Sequence, residues 1–180
     1  RDIIDQLDNL NIIRPANYGK EVPGKGYKTI NFNGIKVTVI NLMGRVFMGD
    51  PLDNPFKVMD EIIDEIDSDY IFVDFHAEAT SEKIDLAHYL DGRVTAVVGT
   101  HTHVPTADAM TFPKGTMYIT DIGMSGTKYG ILGSDKSIII PKFIDGMPRR
   151  LKEDMSDALQ FNAVVMDTDT QKITAINIYE

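Results

Sequence analysis

Two histidines one residue apart close an apolar run, Val97-Val98-Gly99-Thr100-His101-Thr102-His103-Val104. In extended backbone, residues i and i+2 point to the same side. His101 and His103 are therefore expected to converge just past a strand end, a frequent place for ligand sites in α/β folds. Imidazole is the commonest side-chain ligand for transition metals. A third histidine repeats the pattern, because Tyr70-Ile71-Phe72-Val73-Asp74-Phe75-His76 is another apolar run ending in imidazole. The chain holds 4 histidines, and His88 alone falls elsewhere, so scarce ligands gather at two strand ends. The chemistry this allows is metal coordination. Three histidines and a water would suffice for a mononuclear zinc hydrolase. Alternatively they form half of a two-metal site, completed by carboxylates or amides elsewhere.

The neighbouring acids have quieter readings. Asp74 precedes His76 by two positions and shares its side of the strand, where it can orient a histidine. Asp121 is an outer partner or a turn residue, and Glu78 and Asp108 read as structural or solvated. None of the four is taken as a direct ligand. His88 lies among Leu86, Ala87 and Leu90 in a helical pattern and reads as a partly exposed helix residue. The segments Gly123-Met124-Ser125-Gly126 and Gly130-Ile131-Leu132-Gly133-Ser134 could turn backbone amides toward a phosphate. Neither matches a nucleotide-binding loop, so both read as plain loops. Lys83, Lys114 and Lys128 read as surface lysines.

The elements that must position these residues follow from periodicity. Ile3, Ile4, Leu7 and Leu10 have helical spacing across Asp2–Leu10. Ile12-Ile13-Arg14 suggests a short strand stopped by Pro15. Residues 17–26 form a loop. Tyr27–Phe32 and Ile35–Leu42 flank Asn33-Gly34, a hairpin signal because both residues tolerate positive φ. After a loop over 44–54, Pro55 opens a helix whose apolar face is Phe56, Met59, Ile62, Ile63 and Ile66. Tyr70–Phe75 and Val94–Val98 are buried strands, separated by a helix capped by Thr80 or Ser81 and running to about Leu90. Thr116–Thr120 is a further strand. Lys136–Phe143 fits strand or short helix. Phe161–Met166 and Ile173–Tyr179 form a closing antiparallel pair. The order implies an α/β fold with a mixed sheet or two sheets.

Composition limits the partners. The 180 residues are 43% hydrophobic, enough for one domain with a core. The formal net charge is -9 and no basic stripe appears, which argues against long nucleic acid. Acidity also disfavours anionic membranes. A small phosphorylated substrate stays compatible, because a bound metal supplies local positive charge. There is no cysteine, which rules out disulfides and thiolate sites and fits a cytoplasmic protein. No membrane-length apolar stretch or signal peptide is evident.

Asp74-Phe75-His76-Ala77-Glu78-Ala79-Thr80-Ser81-Glu82-Lys83, Gly99-Thr100-His101-Thr102-His103-Val104 and Thr106-Ala107-Asp108 resemble motifs of the bacterial YmdB-type metallophosphoesterases, in the calcineurin-like superfamily. So do Arg14-Pro15-Ala16-Asn17, Pro23-Gly24-Lys25-Gly26 and Thr120-Asp121-Ile122-Gly123-Met124-Ser125-Gly126. The resemblance spans nearly the whole chain in order. It implies an α/β two-sheet sandwich flanked by helices. It implies a phosphodiesterase acting on 2′,3′-cyclic nucleotides or related small phosphodiesters, with two divalent metals (Mn, Fe, Mg or Zn). His76, His101 and His103 carry over as metal ligands, with a metal-bound hydroxide as the attacking group. A homo-oligomer is compatible with this.

The family's earlier Asp-Val-Val-Gly, Asn-Gly-Glu-Asn and Gly-Asn-His runs, which supply further ligands and an acid histidine, have no counterpart here. Residues 1–180 are thus expected to be the C-terminal part of a single metallophosphoesterase domain, with its N-terminal strands and helices missing and its acid histidine upstream of Arg1. Two close dications need anionic ligands to offset their repulsion, so these residues alone are expected to bind metal weakly and turn over little. Two other functions compete. A metal-dependent amidohydrolase also places a His-X-His pair after a strand, but there the pair comes first and further histidines follow; here none follows His103. A non-catalytic metal-binding or regulatory module is the other.

Overall fold

The computed structural model describes residues 6, 7 and 10–180. The chain enters its main sheet through a hairpin of β1 (Tyr27–Phe32) and β2 (Ile35–Met43). Asn33 and Gly34 turn it at φ 51° and 91°, the paired positive values that match the twist of the flanking strands. Next come α1 (Pro55–Glu65), β3 (Tyr70–His76), α2 (Thr80–Tyr89) and β4 (Ala96–Thr100). Short strands β5 (Met110–Thr111), β6 (Met117–Ile119) and β7 (Gly126–Thr127) precede α3 (Lys136–Asp145) and the terminal pair β8 (Leu159–Asp167) and β9 (Lys172–Tyr179).

Six strands form one sheet in the order β1-β2-β3-β4-β6-β5. Its four central strands run parallel, and the two edge strands are antiparallel to their neighbours. β7, β8 and β9 make a second, antiparallel sheet. The parallel core places the C-terminal ends of β2, β3, β4 and β6 along one edge. Register aligns Met43 with His76 and His76 with Thr100 there.

Two apolar layers fix the sheet. Ile40, Leu42, Val73 and Phe75 pack with Met59 and Ile62 of α1 and Leu86 and Ala87 of α2. Each fully buried aliphatic of this kind contributes about 1.5–3 kcal/mol. On the other layer Ala96, Met117 and Ile119 meet Ile173, Val164 and Met166 of the second sheet. Asn54 caps α1 by accepting from the Phe56 amide at 3.0 Å, and Pro55 occupies a first-turn position where its missing N–H costs nothing.

Several expectations need correcting. Ile12–Arg14 is not a strand. Arg14 N–H donates to Lys25 O and Ala16 N–H to Asn41 O, but Pro15 between them has no N–H to continue a ladder. The helical pattern over Asp2–Leu10 lies largely outside the described residues. Ala79, not Thr80 or Ser81, occupies the cap of α2, with no side-chain bond. Lys136–Phe143 resolves as helix, opened by Asp135, whose side chain accepts from the Ser137 amide at 2.8 Å. Among the described residues no helix is long and apolar enough to cross a membrane.

Candidate metal centre

The parallel edge brings His76 and His101 together. His76 Nε2 and His101 Nδ1 lie 3.0 Å apart, with the rings nearly perpendicular at 87°. The approach does not arise from alternation along a strand. β4 ends at Thr100, and His101 and His103 take φ of 117° and 65°. Both are left-handed, which is uncommon for residues other than glycine. The same-side rule for extended backbone therefore does not act on this pair. His103 instead lies exposed, with Nδ1 at 3.2 Å from Leu132 O. Among the described residues no group of three or more His, Asp or Glu side chains forms a ready metal cage.

A polar chain sets the His76 ring. Asn41 and Asp74 are register partners on adjacent strands. Asn41 Nδ2 donates to Asp74 Oδ2 at 2.8 Å, and Thr100 Oγ1 donates to Asp74 Oδ1 at 2.8 Å. With its one proton already engaged, the Thr100 hydroxyl can only accept from His76 Nδ1, 3.1 Å away. The proton of a neutral His76 is thus on Nδ1, and the Nε2 lone pair faces His101. Burial, then the neighbouring His101, push the His76 imidazole below its ordinary pKa, favouring that neutral ring. Asp74 does act on a histidine, through Thr100 rather than directly.

His101 is set from the other side. Its Nε2 lies 2.9 Å from Glu78 Oε2. A proton on Nε2 serves that contact and leaves the Nδ1 lone pair pointing at His76 Nε2. Two lone pairs at this distance need a proton or a cation between them. The donor set fits a cation. Two nitrogens each about 2.1 Å from one metal, at roughly right angles, stand about 3.0 Å apart. Each ring also has the outer hydrogen bond that fixes a ligating histidine, through Thr100 for His76 and Glu78 for His101. His103 has a comparable arrangement, with Nδ1 turned to a carbonyl and Nε2 without a partner among the described residues. Thr100→Val is accordingly expected to weaken manganese binding by about 10- to 100-fold, with little change in melting temperature. Isothermal titration alongside thermal unfolding checks it, and unchanged affinity would count against the relay.

Other residues fall away from this pair or behave unexpectedly. His88 is exposed and stacks on Phe112 with centroids 4.3 Å apart. Asp108 accepts from the Thr120 amide at 3.2 Å and from the Thr120 hydroxyl. Burial pushes its carboxyl up, but hydrogen bonds from Thr106 and Thr120 outweigh that and hold it low. The Gly123 amide donates to Asp121 Oδ1 at 2.9 Å, so it is already engaged. Lys114 is exposed and Lys128 half-buried, its Nζ 4.8 Å from the Tyr179 ring centroid. Lys83 is not a surface lysine. It is fully buried and pairs with Asp121 at 3.0 Å. Its position three, four and seven residues before Leu86, Ala87 and Leu90 put it on the inward helical face, a signal its charge concealed. Glu78 carried no comparable signal, since its role depends on where the β4 loop brings His101.

The family model for YmdB-like proteins matches residues 1–180. The chain belongs to the YmdB-like family. It is 49% identical, over 99% of its length and 68% of the relative's, to a Bacillus subtilis (strain 168) protein named 2′,3′-cyclic-nucleotide 2′-phosphodiesterase. A hypothetical protein of known structure from Thermus thermophilus superposes with a TM-score of 0.91 at 41% identity, covering 99% of this chain and 71% of that one. A structure described as a novel phosphatase from Mycoplasma pneumoniae superposes with a TM-score of 0.88 at 36% identity, covering 99% and 67%. The mixed α/β fold is thus shared with two solved bacterial structures, and this chain spans about two thirds of each relative.

Proposed function

We propose that this YmdB-like chain serves a metal-dependent phosphodiesterase that hydrolyses 2′,3′-cyclic nucleotides or related small phosphodiesters. His76, His101 and His103 are its histidine ligands to divalent metal. The observation that carries the reading is the convergence of His76 Nε2 and His101 Nδ1 at 3.0 Å, each ring fixed from behind by a hydrogen-bond partner. The name of the Bacillus subtilis relative supports the substrate class. When bound, a divalent metal supplies Lewis-acid polarisation of phosphoryl oxygens.

The chain's own residues prepare for that chemistry. Asp74 and Thr100 hold His76 in one tautomer. Glu78 keeps the second nitrogen of His101 occupied. Two cations, the number the family resemblance implies, need anionic ligands besides these neutral imidazoles. We take the two sheets as the layers of a sandwich and residues 1–180 as belonging to one such domain, working in the cytoplasm.

Hydrolysis of a 2′,3′-cyclic nucleotide by the full-length protein tests the reading. Turnover is expected to vanish on chelation with EDTA and to return with added manganese. Turnover that survives exhaustive chelation would overturn it.

A further inference from the structure

We propose that the buried Lys83–Asp121 ion pair is a positioning device for the histidine turn, resting on the reading that His101 and His103 bind metal. The Lys83 and Asp121 side chains are 0% and 1% exposed, and Nζ lies 3.0 Å from Oδ2. The same Oδ2 accepts from the Thr102 amide at 2.9 Å, and Oδ1 accepts from the Gly123 amide at 2.9 Å. Thr102 is the residue between the two histidines. Its amide is therefore tied to a buried carboxylate while both neighbours hold left-handed backbone, at φ 117° and 65°.

Left-handed backbone persists in bulky residues only where surroundings over-determine it. The carboxylate supplies that constraint. One of its oxygens grips the turn after β4 and the other grips the turn after β6. Lys83 balances the charge from α2, so a full carboxylate can sit there without solvent. A neutral amide could not replace it, because the two backbone amides bond to different oxygens and one of them would then face an NH2 donor. Stability alone gives little reason for the pair, since a buried ion pair is commonly no better than apolar residues of equal volume. Lys83 also shares its helical face with Leu86, Ala87 and Leu90, where an apolar residue would pack readily. The pair acts on the metal site through the backbone, without touching the imidazoles.

The double substitution Lys83→Met/Asp121→Asn removes both charges and one of the two grips. Manganese affinity is expected to fall by about 10- to 100-fold, while the loss of one buried hydrogen bond lowers the melting temperature by about 2–12 °C. Affinity equal to that of the unsubstituted protein overturns the proposal. Should the double variant fail to fold, amide hydrogen exchange in the unsubstituted protein decides. Thr102 and Gly123 amides are expected to exchange as slowly as those of β4, and exchange at open-loop rates overturns the clamp. Absence of manganese binding by the unsubstituted protein would instead sink the metal reading, and the exchange measurement, which needs no metal, then judges the clamp alone.

Discussion

Gly99→Ala is expected to cost about 3 kcal/mol or more, the upper end for an overpacked core. A Cβ at this position would lie 1.7 Å from Thr120 O and 2.6 Å from Thr120 C. Both are backbone atoms of the segment that continues β6, so no rotamer change relieves the contact. That segment is also tied to Gly99 itself, because Ile122 N–H donates to Gly99 O at 3.0 Å. A third contact, 3.0 Å to Lys83 Cδ, would press on the buried lysine. The sheet must open between β4 and β6, and the opening falls two residues before His101. Urea unfolding measures the loss. Gly19→Ala is the matched control, since its Cβ would meet nothing within 4 Å, and it is expected to stay within about 0.5 kcal/mol. An unchanged urea midpoint for Gly99→Ala would show that β4 and β6 are not packed this closely.

Gly99 illustrates which parts of this molecule could be read from sequence. The apolar runs of β3 and β4, the Asn33-Gly34 hairpin and the α1 stripe each express a local rule, and each was legible. Edge strands β5 and β7 are two residues long and exist only because a neighbour pairs with them. No periodicity can reveal that. Ile138-Ile139-Ile140-Pro141 favoured neither strand nor helix by composition. The decision came from its ends, where Asp135 caps the helix and Gly146 closes it at φ 71°, as a left-handed C-terminal glycine does.

The site divides in the same way. Residue types at strand ends located His76 and His101, because a parallel sheet sends successive C-termini to one edge. The actual contact depends on two features that the sequence hides. One is backbone handedness, since His101 at φ 117° leaves the strand's alternation. The other is the set of partners drawn from distant segments. Asn41, Asp74 and Thr100 come from three strands, and Glu78 from the loop before α2. A charged residue such as Lys83 looks solvated until its helix face is compared with what lies opposite. Pattern recognises ligand types readily; it does not reveal the hydrogen bonds that choose a tautomer.

Those hydrogen bonds make the histidine substitutions discriminating. His76→Ala and His101→Ala are each expected to lower manganese affinity and manganese-dependent turnover by more than the roughly 10- to 100-fold that an outer partner costs. Each removes one of only two nitrogens held 3.0 Å apart, and the surviving imidazole cannot replace the missing donor. The losses should not add. Once one nitrogen is gone, removing the other has little left to disrupt, so the double variant is expected to resemble either single one. His103→Ala is expected to lose turnover as well, since its Nε2 is the remaining histidine donor. His88→Ala provides the contrast. That ring is exposed and stacked on Phe112, far in role from the strand-end cluster, and turnover is expected to persist. Titration calorimetry for the metal and a cyclic-nucleotide assay for turnover read all five variants of the full-length protein. Retention of manganese-dependent hydrolysis by His76→Ala or His101→Ala would show that the paired imidazoles hold only a proton between them, and the metal would have to be sought elsewhere.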